Sequence, residues 1–511
     1  MSKIILNQSS IVINNYQLGD CPILENTFSK YDRTTHKYFL KGVLYDEENK
    51  RFILPRGIDV SFVEELIGEQ ALINRQYDEY DKYYTMMMKY KPRDEIQVEA
   101  LRFMIGIGKY EYTKRCSQLS VNLNTGAGKT YCTVATIAHS GIRSAIITTS
   151  TNWLQQWKKC ILDYTDTRPN EIFMIIGTPS IFSLLKKDIS KYKFILISHN
   201  TIKSYGDTYG WEYVTELFKY MRIGYKVYDE AHLNFDNMCM IDYYTNTYKT
   251  FYVTATPARS DDDENKIFQY YFRNIPSVNL FNENTDTHTK YVSIRYNSRP
   301  SHQAIDECRN QYGLDRNKYV NYIVSNENFY KILTIILNMS IKVEGKVLIF
   351  VGTNYGISII KEWIEENYGY LIGEVGVYTS LTPPDIKKEQ LNRKIILSTT
   401  KSCGTAVDIK YLKMTVVLAE PFKSEVLARQ TLGRTRDNNT FYIEVVDSGF
   451  AQIPKYYYAK KHIFEKYAES VSDISLTDKK LDEKYNEILK TMPIRDKSRE
   501  NLFVKIDRDI D

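Results

Sequence analysis

The chain has 511 residues, 43% of them hydrophobic and 26% charged, with a formal net charge of +5 and a pI near 8.5. That is more chain than one core can organise, so two or three domains are expected, and the mild positive balance permits a nucleic-acid partner without requiring one. No apolar run approaches the roughly 18 residues that span a bilayer, the start lacks an apolar segment with a small-residue cleavage site, and the seven cysteines are scattered without a CxxC pair. These features exclude a membrane-embedded or disulfide-built protein and predict a cytoplasmic one, in the host cytoplasm if the source is viral, with reduced core thiols.

From the N-terminus, residues 37–45 and 50–54 alternate apolar with polar around the turn-forming Asp46-Glu47-Glu48-Asn49, which predicts a β-hairpin. From residue 60 to 90 the pattern turns helical and highly charged, ending at Lys91-Pro92-Arg93. Residues 1–91 are therefore expected to form a small α+β accessory module that binds nucleic acid. Residues 93–104 read as an amphipathic helix, with Gln97 placed to read an adenine edge through an amide that both donates and accepts.

Residues 121–130 run Val-Asn-Leu-Asn-Thr-Gly-Ala-Gly-Lys-Thr, and residues 131–140 have the composition of a helix. Gly126 and Gly128 let the backbone turn so that several N–H groups and the helix N-terminus converge on one point, where Lys129 adds a full positive charge. Thr125 and Ala127 belong to the same loop, and Thr130 offers its hydroxyl to a Mg²⁺ ion bridging the terminal phosphates. The expected ligand is Mg-ATP, although the GxxxxGK[ST] template asks for Gly at position 123 and the chain carries Leu123.

About a hundred residues later a short strand over 224–228 delivers Asp229, Glu230, Ala231 and His232 at its C-terminal end. Two adjacent carboxylates there are costly unless a cation or a water needs them. Asp229 is suited to hold Mg²⁺ and Glu230 to polarise an attacking water. Apolar runs at 144–149, 172–176, 194–198 and 251–257, separated by helical stretches, predict a parallel sheet buried on both faces, giving a first lobe over 92–265. Polar connectors at 261–264 and 282–287 lead to a second α/β series with strands at 291–294, 346–351, 394–398 and 414–419 and no P-loop of its own. That second lobe is placed at 286–451, and residues 452–511 are expected to be a helical extension.

On these motifs the chain resembles a superfamily 2 helicase over residues 93–450: LNTGAGKT (123–130), DEAH (229–232), TATP (254–257) and QTLGRTR (430–436) occur in the family's order. The resemblance implies two tandem RecA-like lobes, parallel sheets flanked by helices, that close on one ATP and walk along nucleic acid. It assigns the adenine to Gln97, coupling to His232, Thr254 and Thr256, ribose and coupling contacts to Gly404, Thr405 and Asp408, and completion of the site to Gln430, Arg434 and Arg436. Family members carry their last arginine three residues after the one in Gly-Arg; here that position is Asp437, and Arg436 is taken as the displaced finger, in a loop ahead of a helix. By the same resemblance Thr149, Gln156, Trp157, His199 and Thr201 in the first lobe and Thr353, Thr399 and Thr400 in the second sit in loops that contact strand phosphates, with Trp157 equally readable as core.

Leu54-Pro55-Arg56-Gly57, the stretch from Arg93 to Gln97 and Gln155-Gln156-Trp157 further resemble phage recombination helicases of the UvsW type, with poxvirus transcript-release helicases as cousins. That implies a monomeric motor on duplex, forked or branched DNA, serving recombination, repair or replication through fork regression, branch migration or R-loop unwinding. Two alternatives stand beside it: an RNA helicase or transcript-release factor, and an ATP-binding clamp without productive hydrolysis.

Overall fold

Runs of Ile, Val and Phe too short for helices, with no polar face, satisfy their backbone as strands buried from both sides. The computed structural model describes residues 3–494 apart from 33–34, 75, 84–85, 124–125, 150, 255–261, 281–286, 312, 384, 404–408 and 435–438. It divides into two compact units, residues 1–283 and 284–511.

In the first unit seven parallel strands lie in the order Ile172–Ile175, Phe194–Ser198, Ser144–Thr148, Tyr225–Asp229, Lys249–Thr254, Gln118–Leu123 and Ser277–Leu280. The strand leading into the P-loop and the strand ending in Asp229 thus flank the one ending in Thr254. Their C-terminal ends lie side by side, at the edge where open α/β sheets bind ligands. Period-two alternation sorts the central residues: Leu119, Val121, Val227, Phe251 and Val253 join the core on the P-loop helix side, whereas Tyr228 and Tyr252 join the core on the other. The P-loop helix, Lys129–Ser140, begins at Gly128 and ends at the left-handed Gly141, and the preceding helix, Glu95–Ile105, is capped by the Asp94 side chain and closed by Gly106.

The N-terminal residues form their own five-stranded sheet, ordered Leu44–Asp46, Arg51–Pro55, Ser10–Asn14, Ile4–Leu6 and Leu72–Ile73. The expected hairpin is present but shorter, pairing Leu44 with Ile53. Residues 37–40 instead pair with Ser29–Asp32 in a separate ribbon. The helix expected over 60–90 is corrected to Val60–Ile67, stopped by Gly68 in the left-handed region. The charges beyond it are not a solvated helical face. They serve an extended strap in which Asp81 pairs with Arg143 and Arg222, Glu79 pairs with Arg222 at 2.8 Å, and the Lys89 N–H donates to the Tyr164 carbonyl at 2.8 Å.

The second unit repeats the plan with parallel strands ordered Val375–Tyr378, Ile395–Ser398, Lys346–Val351, Leu412–Ala419, Thr440–Asp447, Thr287–Tyr296 and Ala468–Ser475. The last of these corrects the all-helical extension. Between the helices Gln452–Tyr467 and Asp478–Thr491, residues 468–475 add an edge strand beside 287–296. Its polarity hid it, because an edge strand with one exposed face needs little apolar surface. It is held by Asp473, which accepts from Ser293, from Tyr457 and from Lys461 at 2.8 Å. Among the described residues no helix is long and apolar enough to cross a membrane, and all seven cysteines are free.

Candidate nucleotide site and its relatives

The cradle follows from two glycines. Gly126 and Gly128 have φ of 85° and 95°, a region that costs an L side chain but not glycine. At Gly128 space forbids anything larger as well, since a Cβ would meet Gln97 Nε2 at 2.2 Å. No side chain caps the helix that starts there, which leaves its first N–H groups facing outward, the arrangement that suits phosphate. Gln97 is buried beside it. Its Nε2 donates to the Ala127 carbonyl at 3.2 Å and its Oε1 accepts from the Arg93 N–H at 2.8 Å, so the amide orientation is fixed from both ends.

Lys129 Nζ lies 2.8 Å from Glu230 Oε1, both side chains nine-tenths buried. Glu230 holds a left-handed backbone, φ 52°, uncommon for a residue with a side chain and a mark of functional constraint. This turn swings its carboxylate toward Lys129, while the Ala231 N–H donates back to the Val253 carbonyl at 3.1 Å. Burial pushes the Asp229 carboxyl up to about 7; neighbouring Glu230 adds to the shift, and Lys129 and a hydrogen bond from Trp157 oppose it. That bond is 2.8 Å from Trp157 Nε1 to Asp229 Oδ2. His232 Nδ1 lies 2.7 Å from Thr254 Oγ1 and 3.4 Å from Glu230 Oε2, so the acid pair and the Thr254 strand share one buried contact chain. Thr130 follows Lys129 in the first turn of the same helix. The donor set fits Mg-ATP: an uncapped helix N-terminus and Lys129 for phosphates, and Asp229 with the Thr130 hydroxyl for a hard cation.

The remaining predicted residues fall in several places. Thr125, Thr256, Gly404, Thr405, Asp408 and Arg436 lie outside the described residues. In the second unit Gln430 lies in the helix Glu425–Leu432 and Arg434 just past its end, both buried, so Arg434 follows this helix rather than preceding one. Trp157 and His199, placed in loops by sequence, are buried in or at helices, and Gln156 is exposed on the helix Asn152–Tyr164. The Thr201 hydroxyl bonds Ser198 Oγ at 2.9 Å, and Thr399 donates to Ser402 Oγ at 3.0 Å. Thr353 caps the helix Asn354–Asn367 through the Gly356 N–H at 3.0 Å. Thr400 turns inward, its N–H 3.0 Å from Glu420 Oε2 and its hydroxyl on the same carboxylate. Thr149 follows its strand, its carbonyl 3.5 Å from Asn234 Nδ2.

A parallel sheet with a glycine cradle, and an acid pair two strands away, define a P-loop ATPase. Residues 89–259 match the family described as type III restriction enzyme, res subunit, and in these residues the chain resembles the superfamily 2 helicases. It is 23% identical over 405 residues to transcript termination protein A18 of Yaba monkey tumor virus (strain VR587), covering 75% of this chain and 77% of that protein. Among solved structures, S. cerevisiae Dbp5 bound to RNA and ADP BeF3 has the same fold, with a TM-score of 0.51 at 14% identity over 78% of this chain and 93% of that one. The crystal structure of T4 UvsW aligns over 93% of this chain and 99% of its own at 15% identity, with a TM-score of 0.36.

Proposed function

We propose that the chain is an ATP-driven helicase or translocase that works on duplex or branched DNA, with Mg-ATP as its fuel. The observation that carries the reading is the Lys129–Glu230 pair, 2.8 Å apart at the foot of an uncapped helix N-terminus. In this arrangement Glu230 is engaged by Lys129. A phosphate chain seated on the cradle attracts Lys129, which frees the carboxylate to orient water, so the hydrolytic group becomes available when substrate is present. The bound cation supplies neutralisation of charge on the terminal phosphates. Thr254, tied to His232, sits where a change around Glu230 reaches the strand end that leads to residues 255–261.

Gln156 on the exposed face of the helix Asn152–Tyr164, Thr149 at the end of the strand Ser144–Thr148 and Thr353 after the strand Lys346–Val351 are proposed to touch the sugar–phosphate backbone, which positions a strand without reading its bases. The likeness to transcript termination protein A18 favours a second reading, release of a transcript from an RNA–DNA hybrid. Phosphate release measured with forked DNA, duplex RNA and an RNA–DNA hybrid separates the two. Strongest stimulation by forked DNA is expected; strongest stimulation by the hybrid would replace the first reading with the second, and no stimulation by any of the three would overturn both.

A further inference from the structure

Packing explains only part of the stretch Leu54-Pro55-Arg56-Gly57. Leu54 is fully buried in the core beneath the N-terminal sheet. Gly57 lies against the helix Asp262–Phe272, where a Cβ would meet the Tyr271 carbonyl oxygen at 2.0 Å, and its own carbonyl accepts from the Asn274 N–H at 2.9 Å. Arg56 between them is half-buried, yet among the described residues its guanidinium has no hydrogen-bond or ion-pair partner. Burial pushes its pKa down, with only the Cys116 thiol opposing the shift.

A cavity of about 590 Å³ opens at this point, at the N-terminal end of the strand Gln118–Leu123 and so at the far end of the sheet from the P-loop. Arg56, Lys114 and Arg115 all line it, together with Asn7, Asn74 and the half-exposed ring of Tyr77, and among the described residues no Asp or Glu does. Lys114 meets one carboxylate, Glu111 at 3.4 Å, in an exposed pair outside the lining.

A guanidinium withdrawn from water without a counter-charge is unfavourable, and two more cations on the same cavity make it more so. The arrangement becomes favourable when an anion enters. Arginine's planar fork matches the paired oxygens of phosphate, which a point charge does not. We propose that this cavity binds a phosphate group, with Arg56 as its bidentate anchor and Lys114 and Arg115 as supporting charges. The phosphate belongs either to a nucleic-acid strand or to a small phosphorylated ligand. The first source rests on the motor reading, and gives the first unit a strand contact remote from ATP.

The test uses the full chain and the variants Arg56→Gln and Arg56→Lys. Binding of a fluorescein-labelled 20-mer, single-stranded and duplex, is followed by anisotropy across a salt series. Inorganic pyrophosphate binding is followed by calorimetry in Lys129→Ala, which removes the P-loop contribution, and in Lys129→Ala combined with Arg56→Gln. For a strand phosphate, Arg56→Gln lowers the slope of log K against log salt by about 0.9 on duplex or 0.7 on single strand. Arg56→Lys keeps that slope with weaker binding. For a small ligand, pyrophosphate binds Lys129→Ala and fails to bind the double variant. An unchanged slope together with unchanged pyrophosphate binding overturns the proposal while leaving the motor reading intact. Arg56-dependent pyrophosphate binding in a protein that binds no nucleic acid sustains the cavity and sinks the motor reading. Arg56→Gln should not lower the melting temperature, since it removes an unpaired cation; a large drop in both variants would mark Arg56 as a packing residue and overturn the assignment.

Discussion

Replacing Asp242 with Asn should destabilise the first unit more than replacing Lys226 with Met, although the two side chains form one ion pair. They are fully buried and 2.6 Å apart. Asp242 also accepts from the hydroxyls of Tyr228 at 2.8 Å, Tyr252 at 2.5 Å and Tyr271. Lys226 has one further hydrogen-bond partner among the described residues, Thr245 Oγ1 at 2.6 Å, and lies over the Tyr228 ring, and burial already pushes its pKa down. Asp242→Asn therefore strands an ammonium in the core and forces one amide to face three phenol donors. Removing one partner of a buried pair costs about 3–5 kcal/mol. Lys226→Met leaves a carboxylate still holding three hydroxyl donors, and hydrogen bonds to a charged group are worth about 1.5–3 kcal/mol each, so its loss should stay nearer 1–3 kcal/mol on the same scale. At about 2–4 °C per kcal/mol for a large domain, Asp242→Asn should lower the first thermal transition by on the order of 10 °C, and adding Lys226→Met to it should recover part of that loss. Circular dichroism scans of the full chain, with the transition assigned to one unit because two units need not unfold together, make the measurement. Equal losses in the two single variants, or no recovery in the double, would refute the idea that the tyrosines compensate the carboxylate.

Lys129→Ala should abolish turnover, because backbone N–H groups alone would face the phosphates; unaltered phosphate release would remove the P-loop assignment. Arg434→Ala should lower turnover by about a thousandfold or more while ATP affinity changes little, as for a group acting on the transition state, and a loss confined to affinity would count against it. Trp157→Phe removes the donor to Asp229 and should raise the Mg²⁺ needed for half-maximal turnover by about tenfold or more, with an unchanged requirement assigning the indole to packing alone. His199 is fully buried and stacked on Tyr228, with its pKa pushed by burial from 6.5 down to about 3. Its unfolded form binds the proton first, so its contribution is present above pH 6.5 and is lost as pH falls toward 3, by about 1.4 kcal/mol per pH unit. His199→Phe should flatten the acid limb of urea denaturation by about one proton, and parallel limbs would show that the ring is not buried neutral.

The strands of both lobes were legible where they are central. Residues 194–197 and 347–351 are uninterrupted apolar runs, because a strand covered on both faces has no polar side to show. Edge strands escaped for the opposite reason. Ala468–Ser475 is mostly exposed, and its pairing partner lies about 180 residues earlier in the chain. The strap after Ile67 misled through its charges, which suggest a solvated helix until Arg143 and Arg222 are seen to collect them.

Within the site, what could be read locally was the chemistry of each motif; what could not was which groups restrain it. Gly126, Gly128 and Lys129 carry their role in adjacent positions, since a cradle is made by consecutive backbone N–H groups. The link between Trp157 and Asp229 spans 72 positions and that between Lys129 and Glu230 spans 101, and no periodicity records such pairs. Trp157 shows the cost: a large apolar ring has every reason to be core, and it is core, yet its one polar atom is the donor that reaches the Asp229 carboxylate. A buried Trp needs a partner for its N–H, and a buried Asp needs donors for its oxygens. Each requirement is visible in the sequence by itself; that they meet each other follows only from the tertiary fold, with Ser144–Thr148 beside Tyr225–Asp229 and the helix Asn152–Tyr164 packed against the P-loop helix and the strand Phe194–Ser198.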